Sequence, residues 1–155
     1  MREATALLNA PRRSASGDAS PALRLLLEAD GPRAITKGDS PEAESLRAAK
    51  AEASAAFAEA KRVAPVVVGD VALIRLHTPC QVHPLVGRTW RDRLPRSIVI
   101  AANSGYLPGR VNFAVRSATG RDLLEFLRAH APAGAGEAYG RGHDQATGGS
   151  LSFEA

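Results

Sequence analysis

The sequence predicts an α/β fold: a small mixed β-sheet of four or five strands with flanking helices, preceded by a long helical connector. Three observations predict it. Alanine dominates the first sixty residues, which favours helix there. From Val63 onward, short runs of branched apolar residues favour strand. Before and after those runs, apolar residues recur at the three- and four-residue steps of helices.

The elements follow in order. Residues 1–18 form a short helix or an irregular segment. Ser20–Pro21 reads as an N-cap with proline at the first helical position, opening the helix ALRLLLEAD. Gly31–Pro32 is expected to stop it, with residues 33–39 a loop. Ser40–Pro41 repeats the cap signal and opens a longer helix to about Arg62. Leu46, Ala49, Ala53, Phe57 and Ala60 give this helix one narrow apolar stripe. Lys61 and Arg62 sit at its C-terminal end, where the helix dipole favours positive charge.

The pattern changes at Val63. PVVVGDVALIRLH reads as one or two strands, and His83–Pro84 opens a helix to about Arg93. SIVIAAN, residues 97–103, is a buried strand, and RVNFAVRS, residues 110–117, is an alternating one. Gly120 precedes the helix RDLLEFLRAH. Residues 131–142 are rich in Ala, Gly and Pro and read as loop, and GSLSF closes the chain as a strand.

Composition bounds the function. The 155 residues suffice for a real core, 45% are hydrophobic, and only 5% are aromatic. Leu, Val, Ile and Ala must therefore fill the interior. The net charge of +4 is uneven: residues 63–130 hold nine Lys/Arg against four Asp/Glu. A basic second half points to a polyanionic partner such as nucleic acid. The single cysteine, Cys80, allows no internal disulfide and fits a reducing compartment. No run approaches the length of a membrane span, and MREATALLNAPRRS has no apolar signal core, so the expected location is the cytoplasm.

Three stretches carry chemistry. Gly140–Arg141–Gly142–His143 is a glycine-rich turn whose backbone N–H groups, Arg and His suit a phosphate oxygen. Arg116–Ser117 ends a strand just before a helix start, a second place for a phosphate clamp. His83 with Arg88, Arg91, Arg93 and Arg96 makes a basic helix, with Trp90 among them as a core residue or a stacking platform. There is no Walker loop, no G-x-S-x-G elbow and no HExxH. The four histidines are scattered, and no Asp/His set is spaced for two-metal hydrolysis.

These pieces occur in one order: strand, Arg–Ser, short helix, loop, G-x-G-H-x-x-A-x-G, final strand. In this chain the run is VNFAVRSATGRDLLEFLRAH, a loop, then GRGHDQATGGSLSF. It resembles the DHH-associated domain at the C-terminus of DHH-superfamily phosphoesterases. LLNAPRRS, ALRLLLEAD and HPLVGRTWRDRLPRSIVIAANSGY resemble the corresponding upstream segments of the RecJ-type single-strand exonuclease branch. Arg141 stands where the family has glycine, and Thr147 where it has alanine. The C-terminal domain of alanyl-tRNA synthetases is related, and His143 after Gly-x-Gly favours the phosphoesterases.

The resemblance implies residues 1–38 as the end of a DHH lobe, 39–62 as a connector helix, and 63–155 as the substrate-binding domain. It implies that Arg116, Ser117, Gly140, Gly142 and His143 contact substrate. Arg110 and Arg141 are added from their charge and position. No catalytic residue and no metal ligand is assigned, because the family's Asp-His-His triplet is absent from the sequence. No cofactor is expected on this chain, and manganese or magnesium belongs to a complete family member. The expected partner is single-stranded DNA or a short oligonucleotide, with hydrolysis left to a metal-binding lobe. Two alternatives stand beside this: a subunit completed by a separate DHH-lobe chain, docking through Leu46, Ala53 and Phe57, or a truncated product without activity.

Overall fold

The computed structural model describes residues 1–153. It divides into two compact units, with the boundary between Ala56 and Phe57.

The first unit is helical. It contains α1 (Arg2–Leu8), a 3-10 turn (Pro11–Arg13), α2 (Ser20–Glu28), α3 (Pro32–Lys37) and most of α4 (Pro41–Ala60). Its core joins Leu7, Leu25, Ile35, Ala43 and Leu46. Ser40 caps α4 as expected, its hydroxyl accepting from Ala43 N at 3.2 Å. Ser20 does not cap α2. It is the first helical residue, and the carboxylate of Asp18 accepts its N–H at 2.9 Å.

The segment expected as a loop over 33–39 is mostly helix. Pro32 serves as the first residue of α3 rather than as a stop, because proline's missing N–H costs nothing there. Burial of Ile35 fixes the turn in place. Along the stripe of α4, Leu46, Ala53 and Ala60 are buried and Phe57 is half-buried, whereas Leu23, Leu26 and Leu27 on α2 are exposed.

The second unit is a six-stranded mixed sheet, one or two strands more than expected, in the order β1-β2-β3-β4-β6-β5. Its strands are β1 (Val66–Val68), β2 (Val71–Leu76), β3 (Ile98–Asn103), β4 (Arg110–Ser117), β5 (Arg141–His143) and β6 (Ala146–Ser152). Only β2 and β3 are parallel, and the crossover that a parallel pair requires is α5 (His83–Arg93). The two strands within PVVVGDVALIRL pair across Gly69–Asp70, where Gly69 takes the left-handed conformation that a two-residue turn demands.

Alternate strand residues serve two faces. Ile98, Phe113 and Val115 pack with Leu123 and Leu127 of α6 (Leu123–Ala129). Val99, Ala101, Ala114 and Arg116 lie on the opposite face. α5 packs there, since a Cβ added at Gly87 would touch Ala101 at 3.7 Å and Arg116 at 3.6 Å. Asn103, fully buried, fastens the chain leading into α5. Its amide accepts from Thr78 N and Gly105 N and donates to the carbonyls of Thr78 and Cys80, all at 3.0–3.1 Å.

Among the described residues, no helix is long and apolar enough to cross a membrane.

Candidate phosphate site on the sheet

The expected glycine-rich turn at 140–148 is a β-hairpin. Arg141–His143 forms the outer strand β5, and Asp144–Gln145 turns the chain into β6. Two of the glycines serve the hairpin itself. Gly142 has φ 133°, and a Cβ there would fall 2.5 Å from the carbonyl oxygen of Ala146. Gly140 takes φ 71° beside Leu127 of α6. Their backbones therefore answer to strand pairing first.

The register brings two candidates together. Arg116 on β4 pairs with Ala146 on β6, and Ala146 pairs with His143 on β5. Directly opposed residues share a face. Arg116 and His143 thus flank a single methyl group, with backbones two strand spacings, about 10 Å, apart. The next row on the same face is Ala114, Gly148 and Arg141. Small residues in the middle strand leave a notch between cationic or hydrogen-bonding side chains. Gly148 is enforced there, since a Cβ would meet the Phe113 carbonyl oxygen at 2.4 Å.

Arg116 is held ready. Its Nη1 donates to the carbonyls of Val115 at 2.8 Å and Thr147 at 2.9 Å. Its Nε and Nη2 have no partner among the described residues, so three N–H donors remain for a ligand. Burial lowers its pKa, and the nearby charge of Arg91 lowers it further. Both effects favour taking up an anion.

His83, at the start of α5, lies against this group. It is only 5% exposed, and burial, then the charge of Arg116, pushes its pKa down to about 4. It is neutral at pH 7 and adds no charge of its own. Its Nδ1 is buried without a hydrogen-bond partner among the described residues. The sequence marked His83 only as one of a basic group, and nothing in its spacing showed that it would be buried beside Arg116.

The remaining candidates are placed otherwise. His143 is exposed at the sheet edge, with no side-chain hydrogen bond among the described residues. Arg141 is also exposed, but its Nε donates to the Glu137 carbonyl at 2.8 Å. Arg110 shares the face at the far end of β4, where it donates to Ser150 Oγ at 2.6 Å. Six residues of strand, roughly 20 Å, separate it from Arg116. Ser117 lies on the opposite face, 3% exposed. Its hydroxyl donates to the Ser97 carbonyl at 3.2 Å and accepts from Thr119 N at 3.2 Å. That hydroxyl faces away from Arg116 because adjacent strand residues alternate.

On the α6 side, a cleft of about 200 Å³ between helix and sheet, with Ile100, Phe113, Leu127 and Tyr139 in its lining, is almost wholly apolar, and a second of about 420 Å³ along the outer side of α6 is lined by Arg121, Asp122, Glu125 and His130 among others. Among the described residues, no group of three or more His, Cys, Asp or Glu is arranged to hold a metal ion.

Compared with solved structures, the chain is similar to the pGpG-specific phosphodiesterase PggH from Vibrio cholerae. The TM-score is 0.51 at 14% identity, and the match covers 96% of this chain and 52% of that one. The two share a fold. The present chain spans about half the length of that phosphodiesterase. No family model matches the sequence, and no curated protein does.

Proposed function

We propose that this chain is the phosphate-holding part of a DHH-type phosphoesterase, binding nucleic acid without hydrolysing it alone. The observation that carries the reading is the row Arg116–Ala146–His143, which sets a preorganised guanidinium and an exposed imidazole across a methyl-floored notch. A phosphate oxyanion fits the free Nε and Nη2 donors of Arg116, with His143 adding a hydrogen bond. Arg141 adds charge from the neighbouring row. Ser117, Gly140 and Gly142 support the site by shaping its strands, and Arg110 lies along a longer ligand's path.

In this reading residues 1–38 close a DHH lobe, 39–62 connect, and 63–155 bind substrate. In the same reading, manganese or magnesium, and the hydrolysis it assists, belongs with a metal-binding lobe. Single-stranded DNA and a RecJ-type parent are favoured by the upstream sequence resemblance. A short dinucleotide is the second reading. It is favoured by the shared fold with an enzyme described as specific for pGpG.

The test is binding of a labelled 5′-phosphorylated single-stranded oligomer and of pGpG at two salt concentrations. Wild type is compared with the Arg116→Ala/His143→Ala double variant. Salt-sensitive binding that the variant loses supports the site, since neutralised phosphates release counterions. Binding that is absent, or indifferent to both substitutions, refutes it. The tighter of the two ligands decides between the readings.

A further inference from the structure

We propose that Arg91 is a second phosphate-binding group, closing on the same oxyanion as Arg116 from the helix side. This rests on the reading of the sheet face as a phosphate site, and it adds a residue that neither the sequence motif nor the strand register supplies.

The geometry is a stripe on α5. His83, Gly87 and Arg91 are spaced by four residues, so they lie one above another on a single helix face. Gly87 shows what that face covers. A Cβ there would stand 3.6 Å from Cγ of Arg116 and 3.7 Å from the Ala114 carbonyl oxygen. The helix therefore passes over the stem of Arg116, with His83 one turn before the crossing and Arg91 one turn after it. Glycine at the crossing is what lets the arginine stem run beneath the helix.

The charges agree with this placement. Arg91 is the charged group that acts on Arg116, after burial itself. No carboxylate is bonded to Arg116 among the described residues. The two guanidinium charges repel, Asp92 offsetting part of that of Arg91, and an oxyanion between them turns the repulsion into attraction on both sides. The Arg91 side chain is 33% exposed, and its Nε and Nη2 donate to the neighbouring Asp92, leaving Nη1 for a ligand. His83, one turn before the crossing, is neutral and adds no third charge.

A phosphate oxyanion has two sources, the terminal phosphate of an oligomer and its internal phosphodiesters. Fluorescence anisotropy separates them, with one labelled single-stranded oligomer made 5′-phosphorylated and 5′-hydroxyl. Both forms are titrated against wild type, Arg91→Ala and Arg116→Ala. Arg91 is bonded only to its neighbour Asp92, so its removal leaves the fold intact, and an unchanged thermal midpoint verifies that. Expected for Arg91→Ala is a loss of about tenfold, with the salt slope reduced by about one. Loss confined to the phosphorylated oligomer assigns the terminal phosphate, and equal loss on both assigns a phosphodiester. If Arg91→Ala binds both within about twofold of wild type while Arg116→Ala does not bind, the inference falls and the phosphate site stands. If neither substitution matters, both fall.

Discussion

Arg116 donates from Nη1 to the Thr147 carbonyl at 2.9 Å, across two strands that are neighbours only in the folded sheet. One end of the guanidinium is thereby consumed in structure, and the other end is aimed. Lysine cannot do both, because an ammonium is a single point on a flexible stem. Arg116→Lys is therefore expected to lose about as much phosphate affinity as Arg116→Ala, on the order of tenfold or more. Isothermal titration with a 5′-phosphorylated oligomer measures this. Recovery of wild-type affinity by lysine would mean that charge alone matters at this position.

His83 makes stability depend on pH in a definite window. Its folded pKa, about 4, is below the ordinary 6.5, so the unfolded chain takes up a proton that the folded chain refuses. Stability from this group is complete above about 6.5 and falls as the pH drops toward 4. The slope is at most about 1.4 kcal/mol per pH unit. Urea midpoints between pH 4 and 7 for wild type and His83→Gln are the measurement, and the variant is expected to show a flatter profile. Parallel profiles would show that His83 is not buried neutral.

Gly142 and His143 are neighbours with separable roles. Gly142→Ala places a Cβ against the Ala146 carbonyl in a conformation that side chains rarely adopt. It should destabilise by about 1–3 kcal/mol. His143→Ala removes an exposed ring with no internal bond and should leave the denaturation midpoint within about 0.5 kcal/mol of wild type. Its effect should appear in phosphate binding alone. Denaturant curves paired with binding curves for the two variants reveal whether the roles divide this way.

Ser117→Ala provides the opposite control. The hydroxyl holds the turn after β4 through Ser97 and Thr119, on the face away from the notch. Its loss should cost about 1 kcal/mol of stability and leave affinity per folded molecule unchanged. A selective loss of binding, with stability intact, would return Ser117 to the phosphate site.

Much of the fold was legible in the sequence because its elements carry strong local signals. β3, β4 and α5 fall within a residue of their expected bounds, since SIVIAAN and RVNFAVRS are short branched runs between clear turn residues. Proline misled where it has two uses. Pro32 was expected to end a helix and instead begins one. GSLSF marked the closing strand, but the first strand of the hairpin at 141–152 was hidden by its glycines, which read as loop in sequence but are required by close strand packing. Arg116 and His143 were legible as residue types, but their shared row depends on the β4–β6–β5 register. His83 and Arg91 were harder still, since only the crossing of α5 over β4 shows that they belong with Arg116.

The pairing of β4 with β6 also bears on how the molecule is assembled. β2, α5 and β3 follow one another directly, so that part of the sheet can form from neighbouring sequence. β6 reaches β4 only after α6 and the long segment behind it have been closed into a loop, a step with an entropic cost and a slower rate. Until that closure, Arg116 has no Thr147 carbonyl to hold it and His143 has no row to stand in. A chain cut within residues 131–140 would keep β1 to β4 in one piece, yet the two sides of the notch would then be separate molecules that must find each other.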